Sequence, residues 1–297
     1  GSEMCIRDRI SIILILLFVF SVLSVPVCHG VISGLYLYGM KIFPGLFISF
    51  ILTNILVRIL QQKNINNPWI LVITGLMTGF PNGAYICSWY NKNNPENRLG
   101  DMLAGIINIP SPAFLISYVY INILEKCISL PMFLALTYTP VILCSYMAIL
   151  FFRDKDNKKD NAPHIKTGKK LIFHFFEEAV DSSINTALTL GAYVIIFSVI
   201  VNIIMHFSQS NTAGLLISYL FEISNGLAII KNAGIPMNIT VLLTVLLDAF
   251  GGVCIIMQTK SICSSYISIK KYIYQKLERV IPAPFSTHLR AHETGAY

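Results

Sequence analysis

Long apolar runs, not short alternations, set the pattern of this chain. They cover residues 10–25, 42–60, 69–90, 102–124, 130–152, 184–206, 212–231 and 237–260. Runs of this kind approach the about 20 residues that cross a ~30 Å hydrocarbon layer. Where no water takes up backbone N–H and C=O groups, such runs are predicted to fold as α-helices. Four of them are interrupted midway: TGFPNG at 78–83, NIPSP at 108–112, FEISNG at 221–226 and DAFGG at 248–252. Proline removes a backbone donor and glycine weakens a helix, so the interruptions predict helix breaks.

Composition agrees with the pattern. The chain is 55% hydrophobic and only 12% charged, with mean hydropathy +0.66. A soluble domain carries about twice that charged fraction, so an ordinary soluble fold is excluded. The net charge of +7 is read as a positive-inside bias of membrane loops rather than as a nucleic-acid footprint. The cysteines are dispersed with no C-x-x-C pair, and the histidines are scattered, so no metal site and no cofactor is expected. A Ser/His/Asp arrangement, an H-E-x-x-H motif and a Gly-rich phosphate loop are all missing from the sequence, which argues against an enzyme.

The two ends read differently from the rest. GSEMCIRDR (1–9) back-translates into a sequence resembling the end of a transposase-type sequencing adapter, and THLRAHET (287–294) into its reverse complement. Residues 1–9 and 287–297 are therefore expected to be adapter artefact and are set aside from fold reasoning. Their charges cancel, with Arg7, Arg9 and Arg290 against Glu3, Asp8 and Glu293.

Charge orients the remainder. RDKDNKKDNAPHIKTGKK (153–170) reads as a cytoplasmic loop through Arg153, Lys155, Lys158, Lys159, Lys166, Lys169 and Lys170. LIFHFFEEAVDSS (171–183) reads as an amphipathic interfacial helix. Counting crossings from this loop, a full crossing by 69–90 would place Arg58 and Lys63 opposite Lys92 and Arg98. A re-entrant dip keeps all four inside. A dip by 212–231 from the outside likewise keeps Lys260, Lys270, Lys271, Lys276 and Arg279 inside, at the cost of Lys231.

Two halves of one plan follow. PGLFISFILTNIL (44–56) resembles LGAYVIIFSVIVN (190–202) in character, FPNG (80–83) lies opposite ISNG (223–226), and NIPSP lies opposite DAFGG. The predicted fold is an all-α polytopic membrane protein. Its core is transporter-like, an inverted repeat of span, re-entrant hairpin and broken span. The expected order is a first transmembrane helix and loop (10–42), repeat one (43–124), a linking segment of span, basic loop and amphipathic helix (125–183), repeat two (184–262) and a cytoplasmic tail (263–286).

The breaks supply the candidate site. Their hinges are Gly79, Pro81, Gly83, Pro110, Pro112, Gly226, Gly251 and Gly252. The candidate ligand-binding side chains are Thr78, Asn82, Asn108, Ser111, Glu222, Ser224, Asn225, Asp248 and Gln258. Amide, hydroxyl and carboxylate groups near mid-membrane suit a small hydrogen-bonding solute, and exposed carbonyls at half-helix ends suit a coupling cation. Glu222 and Asp248 are expensive at such depth, which marks a proton, cation or substrate site. Asn and Ser also cap half-helices, and that plainer reading stands beside the ligand reading. Asn82 is expected to face Asn225 across the two hairpin tips. The lipid bilayer is the other expected partner; nucleic acid is not.

At these breaks the sequence resembles a known family. GFPNGA (79–84), NIPSP, SSINTALTLGAYVIIFSVI (182–200), FEISNG and FGG with the downstream Gln258 resemble the YlbJ-like sporulation integral membrane proteins, of the nucleoside-recognition (Gate) domain group. The likeness covers about residues 43–262. It implies a multi-pass plasma-membrane protein of an endospore-forming bacterium, structurally akin to nucleoside transporters, that transports or senses a small polar solute such as a nucleoside during spore formation. Ile109 and Pro110 depart from the small residues and Thr or Ser that the family's first broken span leads one to expect. The alternative function is a non-transporting structural factor of the spore-forming membrane.

Overall fold

Helix is the regular structure throughout the described residues of the computed structural model, which are 2–63, 67–95, 98–153, 169–208, 212–263 and 266–280. Most of the expected basic loop and the C-terminal adapter-like segment lie outside them. The elements are α1 (Ser2–Val22), α2 (Ser24–Tyr36, continued by π-helical Leu37–Ile42), α3 (Phe43–Lys63), α4 (Pro68–Thr78), α5 (Asn82–Asn93) and α6 (Leu99–Ile107). Next come α7 (Pro112–Phe114, continued by π-helical Leu115–Ile123), α8 (Leu130–Arg153) and α9 (Lys169–Ser208). The remainder are α10 (Thr212–Phe221), α11 (Ile223–Asn232), α12 (Met237–Phe250), α13 (Gly252–Cys263) and α14 (Ile269–Val280).

Four helical stretches among the described residues are long and apolar enough to cross a membrane: Leu99–Ile123, Leu130–Phe151, Phe176–Ser208 and Met237–Cys263. Ile10–Val22 and Ser24–Ile42 would together make a fifth, bent by 89°. Large apolar side chains such as Leu52, Ile73, Met77, Leu188 and Ile196 lie exposed on the outside of the bundle. That surface is what a lipid solvent requires and what water penalises.

Residues 26–42, expected to be part of a loop, are helical and pack along α9. The cause is a G-x-x-x-G spacing. A Cβ on Gly30 would meet the backbone of Val199, and one on Gly34 would meet Ile195 and Ser198. Small residues one turn apart let two backbones approach closely, the main route to helix association in lipid. Farther along α9, Asn54 donates to Ser183 at 3.0 Å, Tyr85 donates to Asn54 at 3.0 Å, and Arg58 pairs with Glu178.

Two kinds of interruption can be told apart. α4 packs against α5, and α10 against α11, so each pair folds back on itself. α6 with α7, and α12 with α13, instead run on as the candidate spans Leu99–Ile123 and Met237–Cys263. Each folded-back pair closes onto the break of the span that follows it. The Phe80 N–H donates to the Ile109 carbonyl at 2.7 Å, beside the cis Phe80–Pro81 bond. Gly79, with φ +75°, lies so close to Ser111 that a Cβ would strike the serine backbone. In the second half Gly252, with φ +82°, sits against the carbonyls of Leu220 and Phe221.

α14 departs from the sequence reading. Residues 263–286 read as a tail, yet α14 packs on α6, α12 and α13, with Tyr272, Gln275 and Lys276 buried. Polar contacts fix its register. Asp101 of α6 accepts from the Ser268 N–H at 3.1 Å. Gln275 accepts from the Gly105 N–H at 2.8 Å and donates to the Asp101 carbonyl at 2.7 Å. Asn108 donates to the Tyr272 hydroxyl at 2.7 Å.

Candidate functional site

The two folded-back pairs meet at a cavity of about 200 Å³. Thr78 and Phe80 reach it from the end of α4, and Ser111, Phe114 and Ser117 from the restart of the first broken span. Glu222 and Ser224 enter from the turn between α10 and α11, and Gln258 from α13. The opposite wall is built by Tyr38, Lys41 and Ile42 of the π-helical segment after α2, by Leu46 and Ser49 of α3, and by Leu190 and Val194 of α9. π-helical turns shift side chains out of the regular helical phase and recur at binding sites.

Each polar group is positioned by a local reason. Ser111 precedes Pro112 and caps the restarted helix, its hydroxyl accepting from the Phe114 N–H at 3.3 Å. Glu222 is extended (φ −141°, ψ 125°), and its carboxylate accepts from the Asn225 N–H at 2.7 Å, capping α11. It is 2% exposed, so the cap holds a charge-bearing group at the cavity edge. Thr78 returns its hydroxyl to the Thr74 carbonyl at 2.8 Å. Gln258 donates to the Cys254 sulfur at 3.2 Å. The Tyr38 hydroxyl donates to the Ala187 carbonyl, tying the π-helical wall to α9.

Five residues singled out in the sequence therefore share one cavity: Thr78, Ser111, Glu222, Ser224 and Gln258. The other four do not line it. Asn108 is fully buried, donating to Tyr272 and to Thr259 at 3.2 Å and accepting from the Ala84 N–H at 3.3 Å. Asp248 is buried near the end of α12, outside the cavity lining. Asn82 is 1% exposed, and its carboxamide has no hydrogen-bond partner among the described residues.

The expected meeting of Asn82 and Asn225 is corrected. Asn225 turns to α9, donating to the Ser198 hydroxyl at 3.3 Å. It lines a second, more open cavity of about 560 Å³ with Ser33, Asn202 and Asn232. One residue turns a side chain by about 100° around a helix, so a match of breaks between halves does not fix which neighbour faces inward.

Gly79, Gly83, Gly226 and Gly252 among the hinges sit against backbone. A Cβ on Gly83 would meet the Ile107 carbonyl, and one on Gly226 the Tyr219 carbonyl. Gly251 ends α12 in the left-handed region at φ +84°. Pro112 begins α7, and Pro81 precedes α5. Pro110 lies in the non-helical link of the first broken span.

Several contributors were not foreseen. Tyr38 and Lys41 come from the segment read as a loop, and the G-x-x-x-G spacing at Gly30 and Gly34 was the available signal for it. Tyr272, Gln275 and Lys276, outside the cavity lining, come from the segment read as a tail and hold the first broken span through Asn108, Gly105 and Asp101. Their spacing puts them on one face of a helix, but a charged helix after the last span gave no reason to fold it inward. Compared with protein-family models, with curated proteins and with solved structures, the chain gave no match.

Proposed function

We propose that the chain is a transporter-like membrane protein that binds a small polar solute in the cavity between its two folded-back pairs. The observation that carries this reading is the convergence of Thr78 and Ser111 from one half with Glu222, Ser224 and Gln258 from the other on a single cavity. Hydroxyl, amide and carboxylate groups beside Phe80 and Phe114 suit a polar solute with an apolar face.

An inverted repeat of span, re-entrant hairpin and broken span is the architecture we assign, as α3 to α7 and α9 to α13. Exchange of the halves conserves part of the packing, which supports the assignment. α5 packs on α6 and α13, and α11 packs on α12 and on the π-helical run after α7. Antiparallel broken spans put those partners in the same membrane leaflet, whereas parallel spans would not.

In this reading the protein works in the plasma membrane of an endospore-forming bacterium, as a relative of sporulation integral membrane proteins of the nucleoside-recognition group. The cavity volume narrows the ligand. About 200 Å³ lies below the ~300–1,000 Å³ of pockets for drug-sized molecules. A volume of this size points to a small solute rather than a drug-sized one.

The test is water access. Thr78→Cys and Ser224→Cys, each in a background without other cysteines, are placed in sealed vesicles and exposed to a water-soluble maleimide on either side. Both positions are expected to label, because both line the one cavity. Two unlabelled positions overturn the reading and leave the structural-factor alternative.

A further inference from the structure

Among the residues of α14 whose side chains are described, Lys276 is the most deeply placed charge. It is fully buried, and its ammonium donates to the Asn108 carbonyl and, at 3.4 Å, to the Ala249 carbonyl. It also lies 5.7 Å from the ring centroid of Tyr272. Those two carbonyls belong to corresponding places in the fold. Asn108 follows the last residue of α6, and Ala249 lies in the last turn of α12. Both helices stop inside a candidate span.

A helix C-terminus carries roughly half a negative charge. Two such ends meeting at one point therefore favour a cation there. A buried ammonium is costly unless it is compensated and hydrogen-bonded, so this one is held by the ends it satisfies. Asp248, buried one residue before Ala249, adds acidic character to the same neighbourhood. The delivery is rigid, because Gln275, the preceding residue, is hydrogen-bonded to α6 at both Gly105 and Asp101.

We propose that Lys276 is a tethered cation: its ammonium fills the place between the carbonyl ends of α6 and α12 that a free monovalent cation would otherwise occupy. The consequence is a latent site. Removing the side chain leaves two half-helix carbonyl ends around a space shaped for a small cation. Sodium, potassium or ethylammonium enters it, and the bulky choline ion does not. This site is separate from the solute cavity, and Lys276 does not line that cavity.

The experiment reads stability alone and needs no solute. Full-length protein and its Lys276→Ala variant are purified in detergent, and thermal unfolding is followed at equal ionic strength in choline, sodium, potassium and ethylammonium chloride. The wild type is expected to unfold at one temperature in all four. Lys276→Ala is expected to unfold lower in choline and to recover several degrees in at least one of the small cations. Equal behaviour of the variant in all four salts overturns the proposal, as does the same cation dependence in the wild type.

Lys276→Met, which keeps the stem and removes the charge, guards against a variant that does not fold. It is expected to lose stability because methionine cannot satisfy the carbonyls, and wild-type stability in it overturns the proposal. If Lys276→Ala does not survive extraction in choline, the yield of monodisperse protein extracted in sodium or ethylammonium is the readout. Rescue supports the proposal and equal loss in every salt overturns it.

Discussion

Phe80 and Ile109 are joined backbone to backbone, N–H to carbonyl at 2.7 Å, across the tip of one folded-back pair and the break of the next span. Each interruption thereby satisfies part of what the other leaves open. A broken helix in an apolar surrounding is tolerated because its free groups are covered by protein. The glycine before Phe80 makes the approach feasible.

Gly79→Ala is expected to be costly for two reasons, its φ of +75° and the Ser111 backbone in the way of a Cβ. Gly234→Ala is the control, since its φ is +64° but open space surrounds it. The control carries backbone strain alone, on the order of 1 kcal/mol. Gly79→Ala should add a packing penalty of about 1–3 kcal/mol. Thermal unfolding of both variants in detergent measures the difference.

Gly34→Leu should separate α2 from α9, because even a Cβ there would meet Ile195 and Ser198. The expected loss is about 1–3 kcal/mol or more. Gly39→Leu, with open space around Gly39, should change little. Limited proteolysis between α2 and α3 compares the two.

Glu222→Ala removes the carboxylate that caps α11, a loss of about 1 kcal/mol. Glu222→Gln keeps an acceptor oxygen and should keep most of the stability. If the carboxylate also binds solute, both variants lose solute-dependent protection of Ser224→Cys from maleimide. Unfolding and labelling, measured on the same preparations, separate the capping role from the binding role.

Asp101→Ala should loosen α14 selectively. The carboxylate accepts from the Ser268 N–H and from Asn91 at 3.2 Å, and pairs with Arg98 at 2.8 Å. Leaving such buried partners unmet costs about 1–3 kcal/mol. Amide hydrogen exchange should rise over residues 268–276 and stay unchanged in α2 and α9. A uniform rise across the protein would contradict this prediction.

The places where helices stop were legible in the chain because glycine and proline act locally. The structure interrupts its helices between Thr78 and Asn82, between Ile107 and Pro112, at Glu222 and at Gly251, and each has its cause within a few residues. Which side chains meet across an interruption was less legible. Glu222 and Ser224 turn to the cavity while Asn225 turns to Ser198, a matter of helical phase set by packing.

Long-range partners were least legible. Lys276 satisfies a carbonyl at Asn108, far along the chain, and its charge read as a sign of solvent. The helical character of 26–42 was hidden for a different reason. Gly30 and Gly34 lower helix propensity, and their value appears only once α9 is beside them.

The length of α9 has a consequence for the membrane itself. Its candidate span Phe176–Ser208 has 33 residues, about 50 Å at 1.5 Å per residue, with Glu177, Glu178 and Asp181 in its first two turns. A hydrocarbon layer is ~30 Å thick, so the acidic start of the helix reaches beyond it while the apolar remainder crosses. Leu190 and Val194 of the same helix form part of the cavity wall. The helix that walls the cavity is therefore also the one that reaches past the hydrocarbon, joining the cavity to the membrane–water boundary in one continuous element.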